Sequence, residues 1–92
     1  MQIGNSACAG TLESSDVLVE IEPWSDGLEL EIQSVVYEQF GDSIEQLVRD
    51  MLQRLAVTNG RIILNDRGAL SCTIQARLET ALKRAERGEA HA

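Results

Sequence analysis

Leu28-Glu29-Leu30-Glu31-Ile32-Gln33-Ser34 is the stretch on which the fold turns. Leu28, Leu30 and Ile32 alternate with Glu29, Glu31 and Gln33, the period-two pattern of a strand with one apolar and one wet face. Upstream, Trp24-Ser25-Asp26-Gly27 supplies turn residues after Pro23. Before them, Asp16-Val17-Leu18-Val19-Glu20-Ile21-Glu22 repeats the alternation, with Val17, Val19 and Ile21 on one face and Glu20 and Glu22 on the other. Further upstream, Cys8, Gly10 and Leu12 alternate with Ala9, Thr11 and Glu13. The two upstream runs meet at Ser14-Ser15, which reads as a hairpin tip, although this pair lacks the glycine or asparagine that a type I′ turn prefers. Three successive strands with one wet face predict an antiparallel meander.

Downstream the period changes. Ile44, Leu47, Val48, Met51, Leu52 and Leu55 fall at i, i+3, i+4 and i+7, so a helix packs this stripe on the apolar face of the sheet. Asp42 is suited to be its N-cap, with Glu45 three residues on. Val35 to Phe40 is a transition of strand or helix character, and Asn59-Gly60 is the expected stop. Arg61-Ile62-Ile63-Leu64-Asn65 is a short apolar run that suits a buried strand, and Asn65-Asp66-Arg67-Gly68 follows as a turn. A last helix is expected from about Ser71 to Arg87, with Ile74, Leu78, Ala81, Leu82 and Ala85 on one side; Cys72 and Ala76 lie off that stripe. The alternative pairs Ala69 to Thr73 with Arg61 to Asn65 as a strand. The expected fold is α+β in β-β-β-α-β-α order, an antiparallel-rich sheet with both helices on one face. Residues 28–65 allow a right-handed crossover within it. Residues 1–92 form one domain, with 1–6 and 88–92 expected to be flexible.

Composition narrows the function. Hydrophobic residues make up 43% of the 92 positions, enough for a folded core. Only Trp24, Tyr37 and Phe40 are aromatic, so that core must be aliphatic. The N-terminus lacks the basic and apolar regions of a signal peptide, and no stretch approaches a membrane span, so a cytoplasmic location is expected. Cys8 and Cys72 are too isolated for a metal site or disulfide framework and are expected to be half-buried thiols. The net charge is −7. Through Asp50 there are eleven acids against Arg49 alone; from Met51 there are four against seven bases. Such a charge disfavours nucleic acid and suits docking against basic surfaces.

Two serines are candidates for function. Ser14 sits at the hairpin tip with no general base in sequence reach, since the one histidine is His91. That suits a hydroxyl that is modified rather than one that attacks. Ser43 lies in Gly41-Asp42-Ser43-Ile44, which resembles the Asp-Ser-Leu attachment motif of ordinary 4′-phosphopantetheine carriers. In that family a helix and a long loop of a four-helix bundle precede the serine, whereas three strands precede it here.

Ala9-Gly10-Thr11-Leu12-Glu13-Ser14-Ser15-Asp16-Val17 resembles the N-terminal signature of the acyl carrier protein of citrate lyase, its gamma subunit. The likeness continues through Gln39-Phe40-Gly41, Asp66-Arg67-Gly68-Ala69-Leu70-Ser71-Cys72 and Ala76-Arg77-Leu78-Glu79, from Ala7 to about Ala85. The resemblance implies that Ser14 carries 2′-(5″-phosphoribosyl)-3′-dephospho-CoA through a phosphodiester, installed by a prosthetic-group transferase. It also implies partners: an alpha subunit that exchanges acetyl for citrate on the pantetheine thiol, and a beta subunit that cleaves citryl to oxaloacetate. On this reading the chain itself performs no bond chemistry and holds no metal or catalytic residue. Its cofactor supplies the reactive sulfur, and neither nucleic acid nor membrane is a partner. Ser15 departs from part of the family, because some members carry glycine after the modified serine; it is the neighbouring candidate. The related carrier subunit of malonate decarboxylase, a carrier modified at Ser43, and an unmodified acidic adaptor are the alternatives.

Overall fold

The computed structural model describes residues 1–87. Its elements run β1 (Ala7–Gly10), β2 (Val17–Glu22), β3 (Leu28–Ser34), α1 (Tyr37–Arg54), β4 (Gly60–Asp66) and α2 (Ser71–Ala85). This is the expected element order and the expected α+β class. The strand at residues 69–73 is absent, since α2 begins there. The tail and His91 lie outside the described residues.

The meander is corrected. The sheet order is β1-β2-β4-β3. β1 and β4 each pair antiparallel with β2, whereas β3 runs parallel to β4. Two physical causes place β4 inside the sheet. Its Ile62 and Leu64 are wholly buried, while Leu28 of β3 is exposed and Leu30 and Ile32 are only half-buried, as an edge strand tolerates. Pairing β2 with β3 would also set acidic rows side by side, which is destabilising. With β4 between them, Arg61 reaches Glu22 at 2.8 Å on one flank and Glu31 at 3.9 Å and Glu29 at 4.0 Å on the other. The Arg61 guanidinium also lies 5.5 Å from the Trp24 ring centre. Part of the acidity that suggested a docking face is thus compensated within the sheet.

The helices cover the other face, α2 over β1 and β2 and α1 along β3. The core between the layers is aliphatic: Val17, Val19 and Ile21 of β2 share one buried cluster with Ile44, Val48 and Leu52 of α1 and Ile74, Leu78 and Leu82 of α2. Burial of each such side chain stabilises the fold by roughly 1.5–3 kcal/mol. All three aromatic residues stay outside, exposed. So do both cysteines, which corrects the half-buried expectation. In β1 it is Ala9, paired with Val19, that faces the core, leaving Cys8 outward. Cys72 is the second residue of α2, off its apolar stripe.

Both ends of α1 differ from expectation. It starts at Tyr37, so Asp42 is no cap and, like Ser43, lies in the second turn. Glu45 pairs instead with Arg49 at 2.8 Å. The chain enters the helix through a buried hub. Asp66 is only 1% exposed, and its carboxylate accepts from the Ser34 hydroxyl at 2.7 Å and the Ala69 N–H at 2.9 Å. The Val36 N–H in turn donates to Ser34 Oγ at 3.1 Å. At the far end, Val57 N–H reaches the Leu52 carbonyl and Ala56 N–H that of Gln53. This is a Schellman closure with Ala56 left-handed at φ 55°. The helix therefore stops before Asn59-Gly60.

Residues 1–6, expected to be flexible, are tied down. Gly4 and Asn5 donate to the Ala85 carbonyl at 2.9 and 3.1 Å, and the Arg87 N–H donates to that of Gln2 at 2.7 Å. Ile3 forms an isolated bridge with Glu86.

The Asp66 hub sets the β3–α1 and β4–α2 junctions together. Asp66→Ala leaves the Ser34 hydroxyl and the Ala69 N–H without their buried acceptor and should lower unfolding free energy by about 2–4 kcal/mol. Asp66→Asn keeps an acceptor for Ala69 and should lose less than half of that. Urea unfolding of the two variants measures both.

Candidate functional site

The connectivity gathers several segments at one end of the sheet. β2 begins where β4 ends, and β3, parallel to β4, ends there too. Both helices therefore start at this end, beside the loop that joins β1 to β2. That loop is longer than the sequence suggested. β1 stops at Gly10, not Glu13, and residues 11–16 form the connection.

Gly10 makes the exit from β1. Its φ is +96°, and a Cβ there would stand 1.8 Å from the Val17 carbonyl oxygen, so only glycine fits. The loop then closes on itself. Asp16 N–H donates to the Glu13 carbonyl at 3.1 Å, making Glu13-Ser14-Ser15-Asp16 a β-turn with the two serines at its centre. Ser15 alone of the pair has a positive φ, 67°, as in the turn class whose second central position favours glycine. Ser14 is exposed, and its hydroxyl has no hydrogen-bond partner among the described residues.

The turn is braced from three directions. Asp16 Oδ2 accepts from Thr11 Oγ1 at 2.6 Å, and Oδ1 accepts from the Val17 N–H at 2.7 Å. Arg77, from α2, places Nε 3.1 Å from Oδ1 and Nη2 3.1 Å from Oδ2, a two-pronged grip. Thr11 Oγ1 also accepts from the Glu13 N–H at 3.2 Å. From the bend just after β4, Arg67 accepts the Ser15 N–H at its carbonyl and donates its own N–H to the Asp16 carbonyl, both at 2.8 Å. The Thr11 hydroxyl, the Val17 amide and then Arg77 hold the Asp16 carboxyl at a pKa of about 2, against an ordinary 3.8. Hence Ser14 is an open hydroxyl on a stiff base. Thr11, Arg67 and Arg77 brace this turn, a role the sequence alone did not give them, and Asp16, read there only as a flanking charge, is the residue they hold.

Ser43 stands elsewhere. It is exposed on the second turn of α1, at the edge of a cleft of about 330 Å³ between α1 and α2 that Phe40, Leu47, Leu70 and Ile74 line. It is neither on the turn nor at a helix cap. No group of three His, Cys, Asp or Glu side chains among the described residues is placed to hold a metal.

Because the Asp16 carboxyl is more acidic in the folded chain than in the unfolded one, the folded form binds fewer protons between the two values. Its stabilisation is complete above about pH 4 and falls away as pH drops towards 2. Asp16→Asn should flatten the pH dependence of the urea midpoint in that window, with little change in slope between pH 5 and 7. Ser15→Gly relieves a left-handed residue and should raise stability by up to about 1 kcal/mol, read by thermal unfolding.

The family described as the malonate decarboxylase delta subunit (MdcD), an acyl carrier protein family, matches residues 4–85. A citrate lyase acyl carrier protein of Rhodopseudomonas palustris (strain BisA53) is 52% identical over 85 residues, covering 92% of this chain and 88% of the relative. One of Haemophilus influenzae (strain PittEE) is 51% identical with the same coverage. In structure, a chain of a Pseudomonas malonate decarboxylase hetero-tetramer superposes with a TM-score of 0.81 over 92% of this chain and 89% of that chain. At 24% sequence identity that likeness speaks for the fold alone. With half its residues shared along nearly its whole length, the chain belongs to the citrate lyase acyl carrier protein family.

Proposed function

We propose that this chain, as a single carrier domain, is the acyl carrier subunit of a citrate lyase, with its prosthetic group attached at Ser14. The observation that carries the assignment is the Ser14 hydroxyl: exposed, free of protein partners and fixed on a turn braced by Asp16. The donor chemistry fits a phosphodiester link, since a transferase needs only access to Oγ and a backbone that does not yield. When bound, 2′-(5″-phosphoribosyl)-3′-dephospho-CoA supplies a terminal thiol that holds acetyl or citryl as a thioester. The chain's own contribution is attachment and presentation. A fixed root keeps the tethered thioester at high local concentration near the alpha and beta subunits that act on it. Among the described residues no helix is long and apolar enough to cross a membrane, in keeping with a cytoplasmic complex.

Glu13 and Asp16 flank the serine, but their electrostatic roles differ. Asp16 is neutralised by Arg77 at 3.1 Å, so repulsion of a phosphate-bearing arm falls to Glu13 alone. A carrier role in malonate decarboxylation is the second reading, favoured by the description of the matching family.

Intact mass after co-expression with the modifying enzymes tests the attachment. The wild type and Ser43→Ala should gain the phosphoribosyl-dephospho-CoA adduct, and Ser14→Ala should not. Trypsin leaves both serines on one peptide, because no Lys or Arg precedes Arg49. Cleavage after Glu puts Ser14 and Ser15 on Ser14–Glu20 and Ser43 on Gln39–Glu45, and fragmentation then separates Ser14 from Ser15. An adduct on Ser43 overturns the assignment. Loaded protein acetylated on its thiol and mixed with alpha and beta subunits should release acetate and oxaloacetate from citrate; carbon dioxide from malonate, with malonate decarboxylase subunits in their place, selects the second reading.

A further inference from the structure

We propose that the Arg67 side chain binds the phosphodiester formed at Ser14 and so fixes the root of the prosthetic arm; this rests on attachment at Ser14. The backbone of Arg67 is already locked to the turn, by the Ser15 N–H and the Asp16 carbonyl at 2.8 Å each. Its side chain is exposed, and no carboxylate among the described residues lies within 4.0 Å of it. Among the described residues, four of the chain's eight bases have such a partner. Arg49, Arg61, Arg77 and Lys83 all have carboxylate partners, and Arg84 donates to the Cys8 carbonyl at 2.9 Å. Of the rest, Arg54 and Arg87 stand at the finishing ends of α1 and α2, away from the turn. Arg67 is thus the base beside Ser14 that no acid occupies. Asp16, the nearest carboxylate in register, does not draw it in, because Thr11, Val17 and both prongs of Arg77 fill its oxygens. A phosphodiester at Ser14 brings the anion this site lacks, and a guanidinium fork matches two of its oxygens. The starts of α1 and α2 add favourable potential at the same end.

The test compares unmodified and loaded protein by nuclear magnetic resonance. The Arg67 Nε–Hε cross-peak should shift on loading and return towards its unmodified position as salt rises. The Arg77 Nε–Hε peak, held by Asp16, should stay in place. In loaded Arg67→Gln the phosphodiester phosphorus line should narrow as the root loosens, and Arg67→Lys should restore part of its width. Unmodified Arg67→Gln should melt with the wild type, because Arg67 supports the turn through its backbone. An adduct confirmed on Ser14 with an unmoved Arg67 cross-peak overturns the proposal and leaves the attachment site standing. Mass that locates no adduct on Ser14 removes the attachment site itself, and the proposal with it.

Discussion

The Asp16 carboxylate accepts four hydrogen bonds, from Thr11, from Val17 and twice from Arg77, and the shape of the loop that carries Ser14 depends on it. Thr11 and Val17 lie within the same hairpin, while Arg77 comes from a helix 61 residues later. One side chain therefore fixes both the shape of the loop and its place over the fold. An exposed surface ion pair commonly contributes little. Here the carboxylate is only 14% exposed, the geometry is two-pronged, and the remaining acceptor positions are filled. The pair's effect is less to stabilise the whole domain than to remove alternatives from a loop that would otherwise be free.

Asp66 performs the corresponding task at the neighbouring junctions. Its two oxygens join the end of β3 to the start of α2, and its own carbonyl accepts the Val35 N–H at 3.2 Å. With Val17 paired to Asp66 in the sheet register, Asp16 sits just before β2 beside the end of β4 that Asp66 forms. Their chemistry differs. Asp16 faces a guanidinium, whereas Asp66 is buried among hydroxyl and amide donors, with no cation among the described residues in ion-pair range. Together they explain how loops, rather than regular elements, hold a fixed geometry at this end.

What was legible in the sequence was local and periodic. The alternation of Val17, Val19 and Ile21 and the stripe from Ile74 to Ala85 read directly as buried faces. Ser14 was legible as a turn residue for the same reason. Strand order was not, because it rests on Arg61 meeting Glu22, Glu29 and Glu31 from strands far apart in the chain. The ends of α1 misled for a different reason. Its start is supported by Ser34 and Asp66 rather than by a capping side chain, and its stop uses alanine where glycine is the usual sign. The braces of the site, Arg67 and Arg77, were visible only as members of resembling segments. Their role needs the tertiary fold.

The pairing of Gln2 with Arg87 bears on how the domain can be handled. Both lie at the end of the sheet where α2 finishes, opposite the loop that holds Ser14. An appended tag, a fused partner or a tether to a surface, joined beyond either residue, therefore leaves from the far pole. Because the two strands of chain run side by side there, a short linker could join them and new ends could be opened elsewhere. The domain is in this sense a plug with its socket side and its cable side already separated.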